Sequence, residues 1–397
     1  MRILFLHEVS YETKPIFEMH EFPEHLAAKG NEIGFLQFPE GESKESLKKK
    51  PFKELISGRV VHGVNLTLFT PKTRSSGLPG RLLAVFRTGK FFKKVVRDFQ
   101  PDVVVSFAVP TSGWQSLRVS KKVGVPYLFR ALDVSHKIRK SIFSPLILLA
   151  EKYIYRNADW VSCNNVAMEK YVLSQGAKSS STSVAFPPLD LAHFNKRVKP
   201  QNQLRKQLGI DESAEVILYM GSFFYFSGLP DAIREFAINS TQSQRLVLIG
   251  GGELQRELQQ LVKSLDLEKR VKFTGMVDFD DLPDFLSLGD VAVNTLEPSD
   301  VSNYALPNKV LQYMAAGLPV VSTALEGLEL SLGTNSEGLI FSENARAVMT
   351  KAISILDNHD ELKSMGTANE RLIARHFGVD KSVADFEHQL IQLAGKV

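Results

Sequence analysis

Short apolar runs alternate with longer amphipathic segments along most of the chain. The apolar runs contain few polar residues, which indicates parallel strands buried on both faces of a sheet. In the first half the predicted strands are Ile3–Leu6, Ile33–Phe38, Val60–Phe69, Val103–Phe107, Tyr127–Arg130, Trp160–Cys163 and Ser183–Phe186. In the second half they are Val216–Met220, Arg245–Ile249, Val271–Phe273, Val291–Thr295, Pro319–Thr323 and Gly338–Phe341. This alternation predicts an α/β fold with doubly wound sheets.

The alternation is interrupted by a polar stretch from about Asn195 to Gln203, whose charges, proline and glutamines are typical of a linker. A chain of 397 residues also favours two domains over a single core. We therefore predict two Rossmann-like domains, residues 1–195 and 196–375, that face each other across a cleft. The helical segment 376–397 packs on either of them. Ligands of such sheets bind at the carboxyl ends of the strands.

The composition, with 44% hydrophobic and 23% charged residues, is that of an ordinary soluble globular protein. The single cysteine, Cys163, excludes an internal disulfide and suits a reducing compartment. A predicted strand directly after Met1 and Arg2 leaves no room for a signal peptide, and the most apolar segment is about half a membrane span. We expect a cytoplasmic protein.

The net charge of +4 is unevenly distributed, because residues 81–97 include six basic side chains and no acidic one. On a helix, one face carries the cations and the opposite face is apolar. Two interpretations remain open: a solvated outer face, or contact with anionic lipid at the inner face of a membrane. The basic set is Arg87, Lys90, Lys93, Lys94 and Arg97. No recognisable module for nucleic-acid binding accompanies it, so we expect no nucleic-acid partner.

The segment from Pro307 to Val321 predicts a helix that opens on a proline and stops at Gly317, followed by a buried strand. The start of this helix presents free N–H groups and a positive dipole end beside Asn308 and Lys309, which is a suitable place for a phosphate. Gln312 lies one turn further along, within reach of a sugar hydroxyl. The segment therefore predicts a pocket for a sugar-phosphate compound.

Three glycine loops follow predicted strands, and each of them alone is compatible with an ordinary turn between strand and helix. They are Gly221-Ser222, which precedes an aromatic run, Gly250-Gly251-Gly252-Glu253, and Gly275-Met276-Val277. Asp278, Asp280 and Asp281 follow the third loop and are interpreted as helix caps rather than metal ligands. No metal site is predicted.

Taken in order, these loops and the Pro-Asn-Lys segment at 307–309 resemble the donor half of a family 4-type glycosyltransferase of the GT-B fold. The resemblance extends into the first half through Ala158-Asp159-Trp160-Val161-Ser162 and through Phe186-Pro187-Pro188-Leu189-Asp190 with Phe194. It implies a retaining, metal-independent, hexosyltransferase-like enzyme without a cofactor. Such an enzyme moves a sugar from a nucleotide-sugar donor to a glycan or lipid-linked acceptor, in the synthesis of cell-surface polysaccharide or glycoconjugates.

The resemblance also implies roles for individual residues. The base would contact Gly275, Met276 and Val277, the diphosphate would lie at Asn308 and Lys309, and Gln312 would bind ribose or donor sugar. Lys309 would be the catalytic cation that stabilises the leaving diphosphate. The implied donor set is completed by Gly221, Ser222, Gly251 and Gly252. Acceptor candidates near strand ends are His7, Glu8 and Asp133, with His136; a helix cap or surface role is the alternative for each.

Several positions depart from the family pattern. The usual Arg and Lys of the first donor loop align with Ser222 and Ser227, and Gln312 replaces one of two glutamates. The region of Tyr304 and Ala305 replaces the other. These departures leave open a non-catalytic GT-B homologue that binds a nucleotide sugar or supports a partner enzyme. A sugar-nucleotide epimerase or hydrolase is disfavoured, because no carboxylate pair is evident in the donor half.

Overall fold

The computed structural model describes residues 1–38, 50–72, 77–138, 142–195, 198–334 and 336–395. The chain forms two compact units: unit 1 is Met1–Pro188 with Asp380–Val397, and unit 2 is Leu189–Val379. The polar stretch interpreted as a linker therefore lies inside unit 2. There the Asp284 carboxylate accepts hydrogen bonds from the backbone of Val198 and Lys199, at 2.7 and 3.1 Å.

Unit 1 is built on an eight-stranded sheet with the order β3-β4-β2-β1-β5-β6-β7-β8. Its strands are β1 Arg2–Leu6, β2 Glu32–Leu36, β3 Lys53–Ser57, β4 Asn65–Phe69, β5 Val103–Ser106, β6 Tyr127–Ala131, β7 Trp160–Cys163 and β8 Thr182–Val184. All pairs are parallel except β3 with β4. The strand predicted at 60–69 is wrong in its first half, since it begins at Asn65. The edge strand β3 went unpredicted because it alternates exposed and half-buried residues and has no apolar run.

The helices of unit 1 are α1 Glu18–Ala28, α2 Gly77–Phe99, α3 Gly113–Val123, α4 Ser135–Ile138, α5 Ser144–Asn157, α6 Val166–Ser174 and, near the C-terminus, α16 Val379–Leu393. Helix α16 packs against α1, where the rings of Phe22 and Phe386 lie 4.3 Å apart between centroids. Glu387 on α16 pairs with Lys29 at 2.6 Å. The C-terminal helix, whose packing the sequence left open, therefore belongs to unit 1.

Helices α2, α3 and α5 form a layer in which α3 packs against both of the others. Helix α2 buries Phe92, Val95 and Val96. Its other side exposes the basic set Arg87, Lys90, Lys93, Lys94 and Arg97. The predicted division of this helix into an apolar and a basic face is thus observed. No helix among the described residues combines the length and the hydropathy that a membrane span requires.

Unit 2 is built on six parallel strands with the order β11-β10-β9-β12-β13-β14. These are β9 Glu215–Ser222, β10 Gln244–Gly251, β11 Val271–Gly275, β12 Val291–Asn294, β13 Val320–Thr323 and β14 Leu339–Ser342. The helices are α7 Leu191–Asn195, α8 Gln201–Leu208, α9 Leu229–Asn239, α10 Gln255–Ser264, α11 Leu282–Leu286, α12 Asn308–Ala315, α13 Glu326–Leu332, α14 Ala345–Ile355 and α15 His359–His376.

Each sheet reverses its strand order once, which is the doubly wound α/β arrangement that the alternation predicts. The reversal lies between β1 and β5 in unit 1 and between β9 and β12 in unit 2. Neighbouring connections leave opposite faces of the sheet at such a point, so a crevice opens at the carboxyl ends of the strands. These two places are where a ligand site is expected, and both carry residues that the sequence singled out.

Candidate functional site

In unit 2, the loops after β9 and β10 pack backbone to backbone. Gly250 has a φ of +123°, and a Cβ there would lie 2.2 Å from the carbonyl oxygen of Gly221. Gly252 has a φ of +156°, and its Cβ would lie 2.7 Å from the backbone nitrogen of Phe223. The sequence suggested that these glycines admit a ligand, whereas the structure shows that at least these two admit a neighbouring loop of the protein.

Helix α12 begins at Asn308, one residue later than predicted, and Pro307 precedes it with extended backbone. Pro307 still organises the start of the helix, because its carbonyl accepts a hydrogen bond from the backbone of Val310 at 3.0 Å. Gly317 takes the left-handed conformation predicted for it, with a φ of +72°. Tyr313 on α12 accepts a hydrogen bond from the backbone of Met220 at 2.5 Å, so the helix is fixed to the end of β9.

Lys309 reaches from the first turn of α12 to the glycine loop after β9. Its ammonium group donates to the Tyr219 hydroxyl at 3.0 Å and lies 4.1 Å from the centroid of the Tyr219 ring. A Cβ on Gly221 would lie 3.5 Å from Nζ of Lys309. The Tyr219 hydroxyl donates in turn to the carbonyl of Ser222 at 3.2 Å. The structure thus brings together Lys309, Gly221 and Ser222, residues that the sequence had placed at one site.

The charge of Lys309 has no counter-ion among the described residues. Residue 309 as a whole is half-buried, but its ammonium group is enclosed by protein. Desolvation lowers the pKa of Lys309 to about 7, and no charged group of the described chain offsets this effect. A desolvated cation beside the positive end of a helix is arranged to receive an anion.

The remaining donor candidates lie on α12 and on the loops after β10 and β11. Gln312 is buried on α12, one turn after Lys309. Gly275 ends β11 with a φ of +74°, and Met276 is 72% exposed. The Met276 sulfur would lie 4.0 Å from a Cβ on Gly251. The loops after β9, β10 and β11 therefore adjoin one another at the carboxyl edge of the sheet, with Val277 half-buried beside them.

Two of the three aspartates that follow Val277 lack the side-chain cap that the sequence suggested. Neither Asp278 nor Asp281 forms a side-chain cap, although both stand immediately before a helical turn. Asp281 instead pairs with Lys199 at 2.8 Å. Within the described part of the chain, no cluster of three or more His, Cys, Asp or Glu side chains is arranged to hold a metal ion.

Unit 1 carries a recess of about 190 Å³ at the carboxyl ends of β1, β5 and β6. Its lining includes His7 and Glu8 after β1, and Asp133 after β6. The acceptor candidates His7, Glu8 and Asp133 therefore line one recess, at the point where the strand order reverses. His136 is not part of this lining.

Glu8 stabilises the loop before α3 as well as lining the recess. Its carboxylate accepts hydrogen bonds from the backbone of Thr111 and Ser112, at 2.7 and 2.8 Å, immediately before α3. The negative charge also suits the positive end of that helix. His7 stacks on Phe107, with ring centroids 5.3 Å apart. The helix-cap alternative thus describes one function of Glu8.

Asp133 and Arg130 also line the recess. Residue 133 as a whole is exposed, but loss of hydration around its carboxyl group, and then the nearby Glu18, raise the pKa of Asp133 to about 6. Arg130 is fully buried and forms an ion pair with Glu18. It also donates to the Ser162 hydroxyl at 3.0 Å. Arg130 was not among the residues predicted from the sequence, although a charged residue within an apolar strand is a usable signal.

The imidazole ring of His136 is held by the buried carboxylate of Glu151. Its Nδ1 lies 2.7 Å from Glu151, to which Tyr171 also donates a hydrogen bond at 3.2 Å. His136 belongs to α4, the short helix whose Ser135 and Ile138 line the recess. It therefore stands next to the recess and orders the helix that forms its rim.

Two family models match the chain, one in each unit. The Glycosyl transferase 4-like domain matches residues 24–185, in unit 1, and Glycosyl transferases group 1 matches residues 214–358, in unit 2. The chain thus carries both domains of a GT-B glycosyltransferase, which is the class that the two sheets and their loops define. The finer Pro-Asn-Lys subset suggested by the sequence remains a prediction.

Named relatives agree with this assignment. N-acetyl-alpha-D-glucosaminyl L-malate synthase of Bacillus anthracis is 26% identical over 191 residues, which is 48% of each chain. Lipopolysaccharide core biosynthesis glycosyltransferase LpsE of Rhizobium meliloti is 26% identical over 223 residues, 56% of this chain and 61% of LpsE. The chain therefore spans about half or somewhat more of the length of these relatives.

A solved structure has the same fold. The crystal structure of Alr3699/HepE from Anabaena in complex with UDP has a TM-score of 0.75 and 18% sequence identity, and the match covers 99% of this chain and 100% of that one. At this identity the likeness establishes a shared GT-B architecture.

Proposed function

We propose that this protein is a retaining, metal-independent glycosyltransferase that binds a nucleotide-sugar donor in unit 2 and a glycan or lipid-linked acceptor in unit 1. The observation that carries the proposal is the ammonium group of Lys309 beside the Gly221 loop, which is desolvated and has no counter-ion in the described part of the chain. Departure of a nucleoside diphosphate builds negative charge on its terminal phosphate. Preorganised cations and N–H groups lower the barrier to that step.

The geometry gives each donor group a role in this proposal. The backbone at Asn308 and the ammonium group of Lys309 hold the diphosphate, since the first N–H groups of a helix have no partner within it. The amide of Gln312 binds a hydroxyl of the ribose or the donor sugar. Gly275, Met276 and Val277 border the base. In this proposal, the positive charge of Lys309 and the dipole of α12 stabilise the diphosphate without a divalent cation.

The donor nucleotide to test first is UDP. The structural neighbour Alr3699/HepE was crystallised with UDP, which supports a uridine nucleotide as the first candidate for this chain.

On the acceptor side, the recess of about 190 Å³ offers the Asp133 carboxyl group to sugar hydroxyls. The relative LpsE is named as a glycosyltransferase of lipopolysaccharide core biosynthesis, which supports an acceptor from cell-surface polysaccharide synthesis for this chain. The basic face of α2 supports a location at the cytoplasmic face of a membrane.

The test is thermal unfolding of the purified protein with UDP, GDP, ADP, CMP and their common sugars. A ligand that binds only the folded state raises the melting temperature by mass action. We expect a rise with one nucleotide, lost in Lys309→Ala and kept in the control Lys263→Ala, whose side chain is exposed on α10. No rise with any nucleotide, or an equal loss in both variants, would refute the proposed donor site.

A second candidate function is a non-catalytic homologue that binds a nucleotide sugar or supports a partner enzyme. It is favoured by Ser227, which is buried and whose carbonyl accepts a hydrogen bond from Thr295 at 2.6 Å. The position where the family pattern has a phosphate-binding cation is therefore occupied by a structural residue. Binding of UDP-sugar without release of UDP, in the presence of acceptor extracts, would select this alternative.

A further inference from the structure

The outer side of α4 and α5 in unit 1 exposes large apolar side chains that no other described element covers. The exposed residues are Ile138 at 45%, Ile142 at 87%, Leu146 at 62%, Leu149 at 63% and Tyr153 at 36%. The last three are spaced three and four residues apart, so they share one face of α5. The opposite face buries Ile147 and Ile154. We call the exposed set the α5 stripe.

Cations flank the α5 stripe, and the only acidic residue of its segment is hidden. Between residues 135 and 157 the sequence has the cations Lys137, Arg139, Lys140, Lys152 and Arg156, of which residues 139 and 140 lie outside the described chain. The single acidic residue in that span is Glu151, which is fully buried against His136. Among the described residues, Lys137 therefore precedes the apolar positions of α5, and Lys152 and Arg156 lie at its C-terminal end.

The positive surface continues across the rest of the helix layer. Helix α3, which packs beside α5, exposes Arg118, Lys121 and Lys122. Helix α2 follows with its basic face. Across the described residues of these three helices, the exposed acidic side chain is Asp98, which pairs with Arg97 at 3.1 Å. An apolar stripe thus lies at one side of an extended basic surface.

We propose that the α5 stripe inserts shallowly into an anionic lipid bilayer. Apolar side chains on one helix face, bordered by Lys and Arg, are the arrangement that enters the interface between headgroups and acyl chains. Each cation near such a surface adds to the attraction, which falls within a Debye length. A second copy of the chain would be a poor occupant, because a symmetric contact would place these basic surfaces against each other.

Insertion would place lipid beside the recess. Ile138 is both exposed and part of the recess lining, so the stripe begins at the rim of the site proposed for the acceptor. An acceptor carried on a membrane lipid would then meet the recess without leaving the bilayer surface. This last step rests on the proposed function and narrows the acceptor to the lipid-linked class, whereas insertion itself does not depend on it.

The first test is flotation of the intact protein with vesicles of phosphatidylcholine that contain about a quarter phosphatidylglycerol. We expect Leu146→Ser with Leu149→Ser to weaken binding by about tenfold or more, because two apolar side chains no longer enter the bilayer. The matched control is Ile238→Ser, since Ile238 on α9 in unit 2 is an exposed apolar residue as well, at 76%. Equal binding by the double variant and the control would overturn the proposal.

The second test places a fluorophore in the stripe. Cys163 is the only cysteine and is buried, so Leu149→Cys can be labelled selectively with an environment-sensitive dye such as NBD. We expect a blue shift of its emission with anionic vesicles and none for a label at Ile238→Cys. A shift that follows protein concentration without lipid would point to a second copy and overturn the proposal. Thermal shift with UDP, measured without lipid, separates failure here from failure of the donor site.

Discussion

The Lys309 ammonium group lies 3.0 Å from the Tyr219 hydroxyl and 4.1 Å from the centroid of its ring. The aromatic face and the hydroxyl oxygen both stabilise the cation without neutralising it. Because the same hydroxyl donates to the carbonyl of Ser222, one phenol ties α12, β9 and the glycine loop together. A carboxylate in place of Tyr219 would fix Lys309 equally well but would compete with a phosphate for its charge.

Replacement of Lys309 with alanine should weaken UDP binding by about 2 kcal/mol, which is about thirtyfold, since a charge-assisted contact to phosphate is lost. Isothermal titration calorimetry measures this directly. Uridine, which has no phosphate, should bind the variant and the wild type alike. Equal weakening for uridine and UDP would mean that the substitution disturbs the pocket as a whole, and would contradict the assigned role of Lys309.

Tyr219→Phe should keep the ring face and remove the hydroxyl that accepts from Lys309. We expect UDP affinity to fall by about 1 kcal/mol, because Lys309 loses a positioning partner but keeps its charge. The effect should be absent in the background of Lys309→Ala, so a double-mutant cycle measures the coupling. Additive losses in the cycle would show that Tyr219 acts independently of Lys309.

Gly250 and Gly251 are adjacent in β10 but differ in the space around them, so alanine substitutions at these two positions test the packing of the glycine loops. Gly250→Ala places its Cβ 2.2 Å from the Gly221 carbonyl at a φ of +123°, while Gly251→Ala meets nothing nearer than 3.7 Å. We expect Gly250→Ala to lower the free energy of unfolding by about 2–3 kcal/mol and Gly251→Ala by no more than about 0.5 kcal/mol. Urea denaturation compares them, and equal values would contradict the described packing.

Gly251→Ala also tests a ligand contact, because the variant should remain folded. If the base or a phosphate approaches the backbone at residue 251, the added methyl group should reduce UDP affinity without lowering stability. Unchanged UDP affinity would remove Gly251 from the donor site and leave the rest of the site in place.

Much of the fold could be predicted from the sequence, because parallel strands buried on both faces leave continuous apolar runs such as residues 103–107. The edge strand Lys53–Ser57 could not, since three of its five residues are exposed and its pairing with Asn65–Phe69 depends on the turn between them. The boundary between the two units also differs from the prediction, because it follows Pro188 and not residue 195. Residues 198–199 look like a linker by composition, yet they donate to the buried carboxylate of Asp284.

The site was predictable where chemistry is local and not where it depends on distant contacts. Lys309 stands out because it follows a proline at a helix start, which is a local signal. Tyr219 reads as an ordinary core residue of a strand, and its role emerges only because a lysine 90 positions away reaches its hydroxyl. The packing of Gly250 and Gly252 was hidden for the same reason, since the nearest backbone is contributed by another loop.

Donor affinity should depend on pH through Lys309. Desolvation lowers the pKa of Lys309 to about 7 in the free protein, and a bound diphosphate raises it again by offering a counter-ion. Binding therefore favours the protonated amine. Affinity should be greatest below about pH 7 on account of this group, and it should fall as the pH rises above the pKa of the free state.

Calorimetry of UDP binding at about pH 8, in two buffers that differ in ionisation enthalpy, should show uptake of close to one proton per UDP bound. The phosphate's own last proton, with a pKa of about 6, is already released there and does not obscure the result. Lys309→Ala should bind UDP without proton uptake over the same range. Equal uptake by the variant and the wild type would assign the proton to another group, and would show that the ammonium of Lys309 is not the cation that meets the diphosphate.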